Sequence, residues 1–138
     1  MTTTIVIRNT ADTEINEVDF TELDPGETSS AQTIRVYNSG DAAPISCYVV
    51  ALNALAKYTG GTNNQGQEAI TEQWLEAKEG AGPWTHIGGD ITQAANRLAI
   101  TPPGALSYTD VALRLVVPLG AVVRGGLTIQ IALFYPEG

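Results

Sequence analysis

Two stretches near the C-terminus decide the fold: VALRLVV at positions 111–117 and LTIQIALFY at positions 127–135. Apolar residues recur at every second position in both, which is the period of a β-strand with one buried face. Because only a short connection containing Pro and Gly joins them, the two strands are predicted to pair as neighbours in an antiparallel sheet. The side chains predicted to face the interior are Leu113, Leu115, Leu127, Ile129, Ile131 and Leu133.

Weaker strand patterns precede these two, and turn residues separate them about every ten positions. The segments concerned are Thr4–Arg8, Ile15–Leu23, Thr33–Tyr37, Ile45–Leu55 and Arg97–Ile100. Eight or nine short strands with this spacing are typical of an antiparallel β-sandwich, so the sequence predicts an all-β fold. The length of 138 residues fits one domain, 1–138. Residues 1–10 are expected to form either an N-terminal arm or an edge strand.

The segment 68–79 is compatible with two structures. It is rich in good helix formers, and a helix would place Trp74 on its apolar face. The compact turn GAGP at 80–83 favours a different solution, a hairpin that pairs a strand at 72–78 with one at 84–87. We therefore predict the hairpin.

Composition excludes several classes of function. The chain has 7 Lys and Arg, 15 Asp and Glu and a net charge of -8, which does not suit a nucleic-acid-binding protein. A hydrophobic content of 43% excludes disorder as a description of the whole chain. No apolar run approaches the ~18 residues of a membrane span. The N-terminal MTTTIVIRNT has neither the basic start nor the apolar core of a signal peptide, so we expect no export.

The residues that most enzymes depend on are scarce. His86 is the only histidine and Cys47 the only cysteine, and neither a nucleophile elbow nor a phosphate-binding loop is present. Cys47 lies in an apolar segment without a basic neighbour, so we expect a buried and unreactive thiol. The sequence predicts a protein that is not an enzyme, with no cofactor and no metal site.

Carboxylates are concentrated in the first thirty residues, where seven face a single cation, Arg8. Their spacing does not match the twelve-residue calcium loop. They form either a solvated surface or a patch complementary to a basic partner.

Five residues are candidates for contact with a partner. The segment Ile45–Leu55 is apolar on both faces, so its second face is covered either by the chain's own domain or by a partner, and we expect a partner. The two tryptophans lie on either side of the 80–83 turn, and either pack in the core, which we favour, or form a sugar-binding platform. The candidates are Trp74, Trp84, Tyr48, Val50 and Leu52.

Five further stretches resemble a known family. The sequence LDPGETSS at 23–30 and the IRVYNSGDA that follows at 34–42 are similar to immunoglobulin-like modules of bacterial cell-surface and phage proteins. LRLVVP at 113–118, followed by Gly120 and Ala121, resembles a strand end of the same modules. The middle stretches, WLEAK at 74–78 and GPWTHIGG at 82–89, look like small virion proteins of tailed phages or prophages.

The resemblance implies an immunoglobulin-like sandwich without catalysis, made in the host cytoplasm and assembled into a bacteriophage virion. It favours a capsid decoration protein, with a neck, tail or baseplate component as one alternative and a glycan- or receptor-binding adhesion module as another. The expected partners are the major capsid or tail proteins and further copies of the chain itself. We expect a homo-oligomer, most simply a trimer, in which residues 2–8 could pair with the edge of a neighbouring copy.

Overall fold

The computed structural model describes residues 4–23, 26–44, 46–56, 73–88, 93–117 and 125–134. Within them the chain forms nine β-strands, and residues 94–96 form a 3-10 turn. None of the described residues belongs to a helix with the length and apolar character needed to cross a membrane. The strands are β1 (Ile5–Asn9), β2 (Glu17–Leu23), β3 (Gln32–Asn38), β4 (Cys47–Ala56), β5 (Leu75–Glu79), β6 (Thr85–Ile87), β7 (Leu98–Ile100), β8 (Ser107–Leu115) and β9 (Gly125–Phe134).

The nine strands form two sheets in which every pair is antiparallel. The five-stranded sheet has the order β1-β3-β8-β5-β6, and the four-stranded sheet has the order β2-β9-β4-β7. Their inner faces share one hydrophobic core. The predicted fold class, an all-β antiparallel sandwich of eight or nine strands, is confirmed.

The core follows from the alternation along the strands. In β3, Ile34 and Val36 are buried between the partly exposed Arg35 and Tyr37. Of the six residues predicted to face the interior, Leu113, Leu115, Ile129 and Ile131 are fully buried, and Leu133 is partly buried against the core. The side chain of Leu127 lies outside the described residues. Period-2 patterning therefore identified the inner faces correctly.

The predicted pairing of the last two strands is wrong. β8 lies in the five-stranded sheet between β3 and β5, and β9 lies in the four-stranded sheet between β2 and β4. Alternation reveals which face of a strand is buried, but both sheets of a sandwich present the same alternation to their shared core. The two strands are thus on opposite sides of the core, and the connection at 118–124 lies outside the described residues.

The hairpin predicted around the 80–83 turn is present. β5 pairs with β6 in the register Leu75↔Ile87 and Ala77↔Thr85. Gly80 has a φ of 53°, a left-handed conformation that glycine adopts without steric cost. β5 begins at Leu75, and residues 68–72 lie outside the described part of the chain.

The described part of the N-terminal segment pairs within its own sheet. β1 is an edge strand that pairs with β3 in the register Ile7↔Val36. Its outer edge is partly covered because the chain folds back along it. The amide of Asn9 donates to Thr13 O at 2.9 Å, and the amide of Ile15 donates to Ile7 O at 2.9 Å.

Candidate functional site

The outward face of the five-stranded sheet carries paired cations and aromatic rings. Four of the chain's seven Lys and Arg side chains project from it, and each lies over a ring on the same face. We call this surface the cationic face. Its pairs are Arg8 over Tyr37 at 4.1 Å, Arg35 over Tyr108 at 4.4 Å, Arg114 over Trp84 at 4.1 Å and Lys78 over Trp84 at 4.6 Å.

Strand alternation explains why these residue types gather there. β3 and β8 lie at the centre of the sheet, and the positions between their buried residues must point outward. In β8 the buried Leu113 is flanked by Arg114 and Ala112, and in β3 the buried Val36 is flanked by Arg35 and Tyr37. The same alternation that builds the core therefore builds the cationic face behind it.

A row of three ionisable side chains crosses one end of this face. His86, Glu76 and Arg114 are directly opposite one another on β6, β5 and β8. Glu76 is only 8% exposed, and its Oε1 accepts a hydrogen bond from Arg114 Nε at 2.8 Å. Its Oε2 lies 3.3 Å from His86 Nε2. The buried carboxylate thus fixes the position of two neighbouring side chains.

At the other end of the face, Arg35 contacts two carboxylates and the ring of Tyr108. Its Nη1 lies 3.3 Å from Asp12 Oδ1, and its Nε lies 3.6 Å from Asp110 Oδ1. Arg35 is also directly opposite Arg8 across β1 and β3, an arrangement of like charges that is destabilising by itself. Stacking each guanidinium on its own tyrosine and pairing Arg35 with carboxylates offsets that repulsion. These contacts restrain the side chains within the free chain, which lowers the entropic cost of binding a partner.

The cationic face differs in charge from the rest of the molecule. Among the described residues, three carboxylates contact its four cations, those of Asp12, Glu76 and Asp110, and Glu14 lies directly opposite Arg8. The remainder of the chain has three cations and eleven carboxylates. The cationic face is therefore close to neutral on a strongly negative protein.

The two tryptophans predicted as candidates lie on opposite sides of the five-stranded sheet. Trp74 is 3% exposed and belongs to the core, so it is not available to a partner. Its Nε1 has no hydrogen-bond partner among the described residues. Trp84 is half-buried on the cationic face beneath Arg114 and Lys78. The core position favoured from the sequence is correct for Trp74, and the pair forms no common platform.

The other three candidates, Tyr48, Val50 and Leu52, belong to β4 in the four-stranded sheet. Tyr48 is half-buried, with the Arg97 guanidinium 5.3 Å from its ring. Val50 was named as a possible contact with a partner, but it is only 2% exposed within the single chain and is not available to one. Of the two ways to cover the second face of this strand, cover by the chain's own domain is the one found at Val50. The side chain of Leu52 lies outside the described residues.

Apart from Trp84, the residues of the cationic face were not identified as candidates from the sequence. The available signal was a cation or an aromatic residue at the positions between buried ones, as in Ile34-Arg35-Val36-Tyr37. Which of these positions become neighbours depends on the order β1-β3-β8-β5-β6. That order is set by pairing between distant segments, which alternation alone does not reveal.

Cys47 and His86, the two residues considered for catalysis, both contact other groups of the chain. Cys47 is buried, and desolvation raises the pKa of its thiol from 9.0 to about 11, although a hydrogen bond from the Tyr48 backbone acts in the opposite direction. His86 Nδ1 lies 2.9 Å from the carbonyl oxygen of Gln73, while its Nε2 faces Glu76. Among the described residues no group of three or more His, Cys, Asp or Glu side chains is placed to hold a metal ion.

No protein-family model matches the chain, and no curated protein matches it either.

Proposed function

We propose that the protein is a non-catalytic structural component of a bacteriophage virion, and within the virion a capsid decoration protein. The observation that supports this proposal is the cationic face, whose exposed side chains are suited to contact with another protein. The phage context rests on the resemblance of the stretches at 23–30, 34–42 and 113–118 to immunoglobulin-like phage modules. A neck, tail or baseplate position would use the same surface and is the alternative within this class.

The residue types on the face are those that dominate protein–protein contacts. Arg, Tyr and Trp are enriched at the energetically important centres of interfaces, whereas Lys is depleted. Here three arginines, two tyrosines and one tryptophan are stacked in pairs, and Lys78 is the one lysine beside them. Tyr108 is 49% exposed although it lies on a central strand. An exposed aromatic residue among ordered guanidinium groups is a suitable anchor for a protein partner.

A decoration protein binds a surface that repeats many times. Each copy then needs only a moderate contact area, because neighbouring contacts on one shell add to the overall affinity. The β-sandwich suits this role, since the cationic face lies on a five-stranded sheet and its cations are paired with rings on the same sheet. The sugar-binding alternative receives less support, because Trp74 is in the core and Trp84 lies beneath two cations.

The test is the location of the protein in purified particles. Particles released from the source bacterium are separated on a density gradient and examined by quantitative mass spectrometry and immunogold electron microscopy. We expect the chain in stoichiometric amounts, with gold label over the head. Label confined to the tail would move the protein to the alternative position, and a chain found only in the soluble fraction would contradict the proposal.

Variants test whether the cationic face is the surface that binds the particle. Purified protein is added to particles that lack it, and bound protein is measured after sedimentation. We expect Lys78→Ala/Tyr108→Ala to bind at least tenfold more weakly than the wild type. Arg97→Ala is the matched control, since it removes a cation stacked on an aromatic ring of the other sheet. Equal binding by both variants would show that another surface makes the contact.

A further inference from the structure

We propose that His86 is a pH-sensitive switch at the β6 end of the cationic face. In its imidazolium form the ring binds both Gln73 and Glu76, whereas in its neutral form it can bind only one of them. The switch regulates the surface assigned above to the virion partner, so its role in assembly rests on the proposed function.

Both ring nitrogens of His86 face oxygen atoms that accept hydrogen bonds. Nδ1 lies 2.9 Å from the carbonyl oxygen of Gln73, and Nε2 lies 3.3 Å from Oε2 of Glu76. Neither a carbonyl oxygen nor a carboxylate donates a hydrogen bond, so each contact requires an N–H on the ring. A neutral imidazole has one N–H and turns a lone pair towards the second oxygen, whereas an imidazolium has two. The geometry of the site therefore fits the charged ring.

The charged groups around His86 agree with this assignment. Glu76 of β5 lies between the ring and Arg114 of β8, and its Oε1 accepts from Arg114 Nε at 2.8 Å. A charge-assisted bond of this kind needs an ionised carboxylate, which also attracts an imidazolium. Lys78 lies two positions after Glu76 on the same face of β5, and the 3-10 turn at 94–96 beside β6 has no charged residue. Among the described residues, the charged group in contact with the ring is therefore the carboxylate.

The two contacts of the ring hold the shortest strand of the five-stranded sheet. β6 has three residues, lies at the edge of the sheet and pairs with β5. Gln73 has a φ of 56°, a left-handed conformation that is strained for a residue other than glycine. Its side-chain amide donates to Gly88 O at 3.1 Å and to Asn96 Oδ1 at 2.9 Å. When the His86 ring becomes neutral, β6 therefore loses one of its side-chain links to the neighbouring elements.

The charge of His86 also affects the cationic face. The face has four cations and four nearby carboxylates, so an imidazolium adds one positive charge to a nearly neutral surface. Trp84 lies two positions before His86, beneath the same Arg114 that binds Glu76. Restraining β6 therefore restrains this part of the face, and a restrained surface loses less entropy when it binds. Because imidazole changes charge between about pH 5 and 8, we expect stronger binding at the acidic end of that range.

A double-mutant cycle tests the pairing in the isolated protein. The wild type, His86→Gln, Glu76→Gln and the double variant are unfolded in urea at about pH 5.5 and about pH 8. The cycle isolates the interaction between the two side chains from the other titrating groups. We expect this interaction to raise the folding equilibrium constant about two- to fivefold at the lower pH, since the ring is 57% exposed and solvent weakens the pair. At the higher pH it is expected to be lost, because the neutral ring has no charge to pair with the carboxylate.

Hydrogen exchange provides a second measurement that needs only an exposed substitution, in case Glu76→Gln does not fold. We expect protection of the β6 backbone amides to fall about two- to fivefold from the lower to the higher pH in the wild type, and to stay constant in His86→Gln. Lys78→Gln is the matched control, because it removes a neighbouring cation and leaves the ring and the carboxylate in place. It should retain the wild-type pH dependence. Since His86 is the only histidine, its ring signal in NMR spectra reports its charge directly.

Binding to particles shows whether the switch regulates the cationic face. The wild type and His86→Gln are added at both pH values to particles that lack the protein, and bound protein is measured after sedimentation. The ratio of binding at the lower pH to binding at the higher pH is expected to be at least twofold larger for the wild type. Equal ratios would refute regulation of this surface by His86.

Two results in the isolated protein would overturn the inference: an interaction of equal size at both pH values, or β6 protection that changes equally in the wild type and His86→Gln. A protein that shows the pH-dependent interaction but is absent from particles would refute the proposed function and leave the switch standing. A protein found on particles whose interaction does not depend on pH would do the reverse. The two proposals can therefore fail separately.

Discussion

Replacing Arg114 with methionine should destabilise the fold by about 2–4 kcal/mol, because the Glu76 carboxylate then loses its closest cation. Glu76 is 8% exposed, so water cannot fully replace the 2.8 Å hydrogen bond from Arg114 Nε. A hydrogen bond to a charged group contributes about 1.5–3 kcal/mol. The guanidinium stacked on Trp84 adds about 0.5–1 kcal/mol. Since the Arg114 side chain is 31% exposed, the cost should remain below that of breaking a fully buried ion pair.

The assay is urea unfolding at pH 7, followed by tryptophan fluorescence and by circular dichroism. Arg8→Met is the matched control, because Arg8 lies over Tyr37 at the same 4.1 Å but has no carboxylate ion pair among the described residues. We expect it to cost less than about 1 kcal/mol. Combining Arg114→Met with Glu76→Met should restore much of the lost stability, since no charge is then left buried. Equal losses for the two arginine variants would refute the role assigned to Glu76.

Three further predictions concern the core and its polar contacts. Leu115→Ala and Ile131→Ala should each cost about 2–5 kcal/mol in urea unfolding, because both side chains are fully buried; losses below ~0.5 kcal/mol would mean that the inner faces are wrong. Asn38→Ala should reduce the free energy of unfolding by about 2–3 kcal/mol. The buried Asn38 side chain donates hydrogen bonds to Ala42 O and Pro103 O and accepts one from the Gly40 amide. A melting temperature equal to that of the wild type would contradict this. Cys47 should react with a thiol reagent only as fast as the protein unfolds. Because folding raises the pKa of this thiol from 9.0 to about 11, its contribution to stability is complete below pH 9 and falls between pH 9 and 11, a loss that Cys47→Ala should abolish.

The parts of the fold that depend on local sequence could be predicted. The alternation in VALRLVV and LTIQIALFY identified buried faces because the side-chain period of a strand is a property of the backbone. The hairpin of β5 and β6 followed from the turn residues between them, since Gly80 accommodates the left-handed backbone that the turn requires. Both signals lie within about ten residues of the structure that they predict.

The parts that depend on distant segments could not be predicted. β8 and β9 were assigned to one sheet because they are adjacent in sequence, yet each pairs with strands from much earlier in the chain. The cationic face was missed for the same reason. Arg8 lies over Tyr37, and Arg35 lies over Tyr108, only because β3 pairs with both β1 and β8. The sequence also left open whether the second face of β4 is covered by its own domain or by a partner, and at Val50 the chain itself covers it.

The position of β9 has a consequence for how the chain is synthesised. β9 is the last described strand, yet it lies in the middle of its sheet, where it holds β2 and β4 together. While the ribosome is still translating residues before Gly125, β2 and β4 have no common neighbour, and their apolar inner faces are exposed. This sheet therefore cannot be completed until β9 has been synthesised, and contacts of such long range are typical of domains that fold in milliseconds to seconds. A truncated product that ends before β9 is expected to aggregate or to be degraded.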